Sequence, residues 1–230
     1  MGSSPGSTFV CAGSGVATEN FNTSSPADAL PRFVHVGRFV DKKAPHLTLL
    51  AFSRVLDENE EASLQMVGDG PLLGACKDLA ISLGIDQSVS FRGACPHEEV
   101  RAVLSRAGAL VQHSVVAQDG DSEGTPMSVL EAGASGIPVV VTRHSGLKDA
   151  VVENETGFLV EERDIRAMAD RMLELASSPG KAREMGRRGR ERVETYFTHD
   201  ENIKRVSDIL EWAVGKREVK PSQLPAWAEN

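Results

Sequence analysis

The sequence predicts an α/β domain built on a parallel sheet with helices on both faces. Three observations point there. Short Val-rich apolar runs recur along the chain, helical patterns separate them, and most runs stop at a glycine or a small polar residue. Residues 1–31 (MGSSPGSTFVCAGSGVATENFNTSSPADALP) are rich in Gly, Ser, Thr, Ala and Pro and read as a linker-like lead-in. The first run, FVHVG at 33–37, predicts a strand, and a helical pattern over 44–57 follows it. SLQMVG (63–68) predicts the second strand and 71–84 the next helix. SVSFRG (88–93), then a helix over 96–107, and ALVQHS (109–114), then a helix over 126–136, continue the alternation. IPVVVT (137–142) and the FLV after Gly157 complete the strands. Helices over 164–177, 180–196 and 199–214 follow, and the tail from Gly215, with Pro221 and Pro225, reads as irregular. Strand–helix alternation in this order implies right-handed crossovers and a Rossmann-like domain over 32–214, between the lead-in and the 215–230 tail.

Composition bounds the function. The chain has 230 residues, 40% of them apolar, enough for a real core and too many for a disordered chain. Its 33 acidic and 25 basic residues give a net charge of −8, which argues against nucleic acid as a partner. No run approaches the ~20 apolar residues of a membrane span. No basic segment leads into an apolar run at the N-terminus, so a signal peptide is not expected. Cys11, Cys76 and Cys95 are odd in number and lack metal-ligand spacing, which fits a reduced, cytoplasmic protein.

In an open parallel sheet, ligands bind beyond the carboxyl ends of the strands. After the first strand come Gly37, Arg38, Lys42 and Lys43. Arg38 and Lys43 are either a clamp for a diphosphate, a bidentate guanidinium with a mobile ammonium, or ordinary surface charge on a turn. After the second strand, Gly68-x-Gly70-x-x-x-Gly74 is similar to a dinucleotide fingerprint, but Pro71 at the expected helix start favours a tight turn instead. No acidic residue stands at the ribose position after it, so a nicotinamide enzyme is not expected. Asp119-Gly-Asp121-Ser-Glu123-Gly124 has the first half of a calcium loop, yet Leu130 stands at the twelfth position and no helix precedes it; a solvated acidic loop is the simpler reading. The segment Glu123-Gly-Thr-Pro-Met-Ser-Val-Leu-Glu131 is the most informative. Glu123 falls just before a helix, where a carboxylate either caps the helix or, with the backbone N–H groups of Gly124 and Thr125, meets a ligand. Glu131 falls inside an otherwise small and apolar helix (Ala132, Gly133, Ala134) and needs a partner, either the hydroxyls of a ribose or a neighbouring loop.

Taken in order, Gly37-Arg38…Lys43, Gly68-Asp69-Gly70-Pro71, Glu123-x7-Glu131, Glu131-Ala-Gly-Ala-Ser-Gly-Ile-Pro138, Ser145-Gly146 and Gly157-Phe-Leu-Val resemble the C-terminal half of glycosyltransferase family 4, retaining enzymes of the two-domain GT-B architecture. The resemblance covers roughly 33–212, and Gly15-Val-Ala-Thr18-Glu-Asn-Phe21 is similar to the segment joining the two domains. The acidic loop before Glu123 resembles members that build exopolysaccharide or lipopolysaccharide.

The resemblance implies a binding domain for a UDP- or GDP-linked sugar, whose hexose is transferred to a glycan or lipid-linked acceptor. Arg38 and Lys43 would hold the diphosphate, Glu123 would face the hexose, and these three would carry the chemistry. Glu131 would bind the ribose. Gly37, Gly68 and the segment Gly124, Thr125, Pro126 and Met127 would line the sugar and phosphate, with Arg92 and Gly93 beside the base. No metal or cofactor is implied; cations and helix dipoles would stabilise the leaving diphosphate. Such an enzyme also has an N-terminal acceptor-binding domain, so this chain would need that domain or a partner chain, would be inactive alone, and would meet the inner membrane face only through that partner. The alternatives are a non-catalytic nucleotide-sugar-binding module and a sugar-nucleotide epimerase. Two residues depart from the family pattern: Ala44 replaces the usual Gly after the Lys, and His113 stands where Pro is usual.

Overall fold

The computed structural model describes residues 15–29, 31–124, 126–144 and 146–222. Six strands form one all-parallel sheet: β1 Arg32–Val36, β2 Ser63–Val67, β3 Val89–Gly93, β4 Ala109–Gln112, β5 Val139–Thr142 and β6 Gly157–Val160. Their order is β3-β2-β1-β4-β5-β6, so the direction of winding reverses between β1 and β4. Every strand lies within two residues of its expected position. Central strands buried on both faces have no polar alternation, and β4 and β5 are buried throughout.

Two apolar layers flank the sheet. On one face lie α2 (Pro45–Glu58), α3 (Leu73–Ser82) and α7 (Ile165–Ser177), with Phe33, Leu49, Phe52, Met66, Phe158 and Met172 in the core. On the other lie α4 (His97–Leu104), α5 (Met127–Ala134), the short α6 (Leu147–Ala150) and α8 (Pro179–Tyr196), around Val34, Leu104, Leu110, Leu130, Ile137 and Phe197. Helix α2 starts because Pro45 occupies its first turn, where a missing N–H costs nothing, and it turns Thr48, Leu49, Ala51, Phe52 and Val55 inward. Phe52 is wholly buried, and truncating it to alanine would cost about 3–5 kcal/mol. Helix α7 is capped by Asp164, whose side chain accepts the Ala167 N–H at 2.8 Å.

The described part of the lead-in, residues 15–29, is tied down more closely than its composition suggests. Within it lie a 3₁₀ turn at Thr18–Asn20 and α1, Pro26–Ala29. Val16 donates its N–H to the Phe197 carbonyl at 2.8 Å, and the Arg190 guanidinium bonds the Phe21 carbonyl at 3.1 Å and the Ala134 carbonyl at 2.6 Å. Helix α9 (His199–Ala213) is capped by Thr198 but buries none of its residues. Ile203, Val206 and Leu210, which recur at three- and four-residue spacing and so share one face, stand exposed on it. Among the described residues, no helix is long and apolar enough to cross a membrane. Cys76 and Cys95 are free thiols, and Cys11 lies outside the described residues.

Candidate active site

The loops that follow β1, β2, β4, β5 and β6 converge on the carboxyl edge of the sheet. They pack by close backbone approach. Gly37 donates its N–H to the Val67 carbonyl at 3.0 Å, and Gly68 donates to the Gly93 carbonyl at 2.8 Å. Gly68 has φ +137, and a Cβ there would stand 1.9 Å from the Gly37 carbonyl oxygen, so only glycine fits. Gly68 therefore joins two loops. Pro71 lies in the turn, and α3 starts two residues later than that proline suggested, at Leu73.

Between the β1 and β4 loops lies a buried ion pair. Lys43 ends a 3₁₀ turn, Asp41–Lys43, and its Nζ stands 2.9 Å from Glu123 Oε2. The two side chains are only 12% and 7% exposed. Burial pulls the lysine pKa down, and Glu123 partly offsets that. The second carboxylate oxygen of Glu123, Oε1, is buried and has no hydrogen-bond partner among the described residues. The two cations expected to clamp one ligand are thus in different settings: Lys43 is buried against Glu123, whereas Arg38 is exposed and makes no ion pair among the described residues. The residue after Lys43, Ala44, has φ +35, a left-handed conformation, which accounts for glycine as the more comfortable choice there. The neighbouring Lys42 holds Asp121 at 3.0 Å, so the Asp-x-Asp of the acidic loop is engaged by a cation of the chain. Among the described residues, no group of three His, Cys, Asp or Glu side chains is placed to hold a metal ion.

Glu131 sits on α5, buried to 5% exposure, with burial pushing its pKa up. Its Oε1 stands 3.6 Å from His97 Nδ1, at the start of α4. The preceding segment places Gly124 in the open, Pro126 at the helix cap and Met127 half-buried at the first helical position; Thr125 and Ser145 lie outside the described residues. Gly93 ends β3 beside Gly68. Arg92, expected beside the base and not at the diphosphate, stands on the same strand end as Gly93. Its side chain lies 3.7 Å from Glu99 and lines a cavity of about 420 Å³ with Arg32, Gln65 and Arg106.

Several polar residues of this edge carried no signal in the sequence. Ser128 Oγ donates to Gln112 Oε1 at 3.0 Å, and Gln112 Nε2 donates to Ser114 Oγ at 2.9 Å, tying α5 to β4. His35 is fully buried beneath the Lys43 loop, and burial with the nearby lysine charge pulls its pKa to about 4. Val-rich strands conceal such residues because a polar side chain inside an apolar run breaks no periodicity.

Comparison with known proteins places this arrangement. The family model described as glycosyl transferases group 1 matches residues 17–192. The chain is 31% identical over 188 residues to a putative colanic acid biosynthesis glycosyltransferase, WcaL, of Escherichia coli K12, covering 81% of this chain and 46% of that protein. It is 30% identical over 181 residues to a GDP-mannose-dependent alpha-(1-6)-phosphatidylinositol monomannoside mannosyltransferase of Mycobacterium tuberculosis H37Rv, covering 78% and 47%. The chain thus spans about half the length of the curated relatives it matches. Among solved structures, Anabaena Alr3699/HepE in complex with UDP-glucose superposes with a TM-score of 0.75 at 17% identity, over 86% of this chain and 56% of that one; this likeness is one of fold.

Proposed function

The chain belongs to the group 1 glycosyl transferase family, and on that footing we propose that it is the sugar-nucleotide-binding domain of a retaining family 4 enzyme. The observation that carries this reading is the buried Lys43–Glu123 pair at the carboxyl edge, with Arg38 exposed on the adjoining loop and Glu131 on the helix beyond. In this reading an acceptor hydroxyl oxygen bonds the hexose anomeric carbon as the bond from that carbon to the diphosphate oxygen breaks; the electron pair of the broken bond stays on the diphosphate, which takes up the hydroxyl proton. Lys43 has three N–H groups and commits one to Glu123, so it can also meet the diphosphate, and Arg38 adds a bidentate contact. Fixed cations that face the charge developing on the leaving group lower the barrier without reorganising, so no metal is needed. Glu131, buried among small apolar residues, accepts hydrogen bonds from two ribose hydroxyls. Glu123 faces the hexose, with Gly37, Gly68, Gly124, Thr125, Pro126 and Met127 lining sugar and phosphate. Pro126 has no N–H, so the donors there are Gly124, Thr125 and Met127. Arg92 and Gly93 would border the base.

The two comparison proteins named for a nucleotide sugar, one dependent on GDP-mannose and one holding UDP-glucose, support this substrate class and leave the base open. The colanic acid relative supports a place in polysaccharide biosynthesis, with a glycan or lipid-linked acceptor. The acceptor site would come from an N-terminal domain or a partner chain. Without it the chain forgoes the proximity gain of up to ~7–11 kcal/mol and transfers no sugar.

Calorimetric titration with UDP, GDP, UDP-glucose and GDP-mannose, without magnesium, tests the reading. One nucleotide binds, and Arg38→Ala weakens it by ~1.5–3 kcal/mol, the worth of a charged hydrogen bond. Glu131→Ala weakens nucleotide and nucleotide sugar alike, whereas Glu123→Ala weakens only the nucleotide sugar. Arg38→Ala and Lys43→Ala binding all four ligands as the parent does would overturn it.

A further inference from the structure

The turn between β6 and α7 carries a carboxylate that the sugar-nucleotide reading does not use. Glu162 Oε2 accepts the backbone N–H of Val116 at 3.1 Å. Its Oε1 meets Nδ1 of His144, just past β5, in a short contact. Across the His144 ring, Nε2 stands 3.3 Å from the backbone nitrogen of Glu123. An amide N–H can only donate, so Nε2 is the acceptor and the proton of the neutral ring sits on Nδ1, facing the carboxylate. The geometry therefore selects one tautomer. His144 is buried, so water does not compete for either nitrogen.

The turn that presents Glu162 is itself anchored. Arg163 adopts φ +66, unusual for a side chain of its size, and donates its N–H to His113 Nε2 at 2.7 Å. Burial pulls the His113 pKa to about 4, so the ring stays neutral and able to accept. The Arg163 guanidinium lies 3.7 Å from Glu162 Oε2 and adds a weak charge contact. The histidine that stands in place of the family's usual proline thus has a definite task. Carboxylate and rings together join the loops after β4, β5 and β6.

One carboxylate thereby holds both ends of the acidic loop, the Val116 amide directly and the Glu123 amide through a ring. Between these anchors the loop is closed on itself by Ala117 N–H to the Asp121 carbonyl at 2.9 Å. From the geometry we infer that Glu162 is a positioning residue, which acts through His144 to set where the backbone of Glu123 sits and hence how its side chain meets Lys43 and a sugar. The inference rests on the reading that Glu123 faces the hexose.

Backbone amide exchange by NMR on the whole ligand-free chain tests the strap without any ligand. Glu162→Ala speeds exchange at Val116 and, tenfold or more, at Glu123, a residue that Glu162 does not touch. His144 ring-nitrogen shifts move from the Nδ1–H form toward a mixture. Glu162→Gln keeps the shape but offers one oxygen, so it leaves at least one of these two anchors unprotected while core amides such as Leu110 stay as they were. A Glu123 amide and a His144 tautomer unchanged in both variants would overturn the inference. Calorimetry with UDP, UDP-glucose, GDP and GDP-mannose supplies the functional arm: Glu162→Ala lowers affinity for the nucleotide sugar about tenfold and leaves the free nucleotide within twofold. Equal losses for both would show a merely structural residue. A Glu123→Ala variant that binds the nucleotide sugar like the parent, with the exchange result as expected, would instead sink the role of Glu123 and leave the strap standing.

Discussion

Replacing Lys43 with methionine removes one charge of a buried pair and keeps most of the side-chain volume. What remains is the Glu123 carboxylate, 7% exposed, whose Oε1 already lacks a partner among the described residues and whose Oε2 loses the Lys43 ammonium. Truncating one member of such a pair costs about 3–5 kcal/mol, because the survivor is neither solvated nor neutralised. In a domain of this size that is a fall of roughly 6–20 °C in Tm. The double variant Lys43→Met/Glu123→Gln takes out both charges, and a neutral pair of similar volume costs little, about 1 kcal/mol. Most of the loss is thus a coupling between the two positions, not the sum of two contacts. Urea unfolding at pH 8 of the parent, the two single variants and the double variant measures that coupling. A Lys43→Met cost below about 1 kcal/mol, or a double variant equal to the sum of the singles, would show a solvent-screened pair and refute the argument.

Three further outcomes are expected. His35 and His113 are pulled by burial from 6.5 to about 4. The unfolded chain therefore binds protons that the folded one refuses, and stability is full above pH 6.5 and falls as the pH drops from there toward 4, by roughly 2 kcal/mol per histidine at pH 5. Equal urea midpoints at pH 7 and pH 5 would contradict this. Gly68→Ala forces a Cβ to within 1.9 Å of the Gly37 oxygen at a positive φ, so it lowers stability by more than about 3 kcal/mol; a Tm within 2–4 °C of the parent, roughly 1 kcal/mol, would deny the close approach. Leu210→Glu on the exposed face of α9 changes stability by no more than about 0.5 kcal/mol, and a marked loss in urea unfolding would show that this face is core after all.

The sheet was readable because its signal is local. A buried parallel strand such as Val139–Thr142 is a run of Val, and the glycine after Val36 or Val67 marks where the chain must turn. The pieces that escaped, α1 and α6 with four residues each and the two 3₁₀ turns, are too short to show a period. The loop position of Glu123 and the helix position of Glu131 are legible because Pro126 marks the helix start between them. The pairing of Glu123 with Lys43 was not visible, because it depends on the register that sets β1 beside β4. Arg92 shows the same limit. Its position at the end of β3 followed from the strand pattern, but its side chain turns to Glu99 on the helix that follows, and alternation alone does not say which neighbour a long side chain finds. His144 and Glu162 belong to different loops and sit in no recognisable spacing, so only the folded arrangement brings them to Glu123.

The reversal of winding between β1 and β4 makes the Lys43–Glu123 contact a gauge of how the two halves of the protein are registered. Lys43 is carried by the loop into α2, which belongs to the Phe52 layer, while Glu123 is carried by the loop into α5, which belongs to the Leu130 layer. A repacking deep in either layer that tilts its helix by a fraction of an ångström shifts one partner and not the other. Layers this tightly filled transmit such shifts instead of absorbing them. Variants that fill or empty space around Phe52 or Leu130, remote from any ligand, are therefore the mutations by which directed evolution could retune this contact without touching either charge.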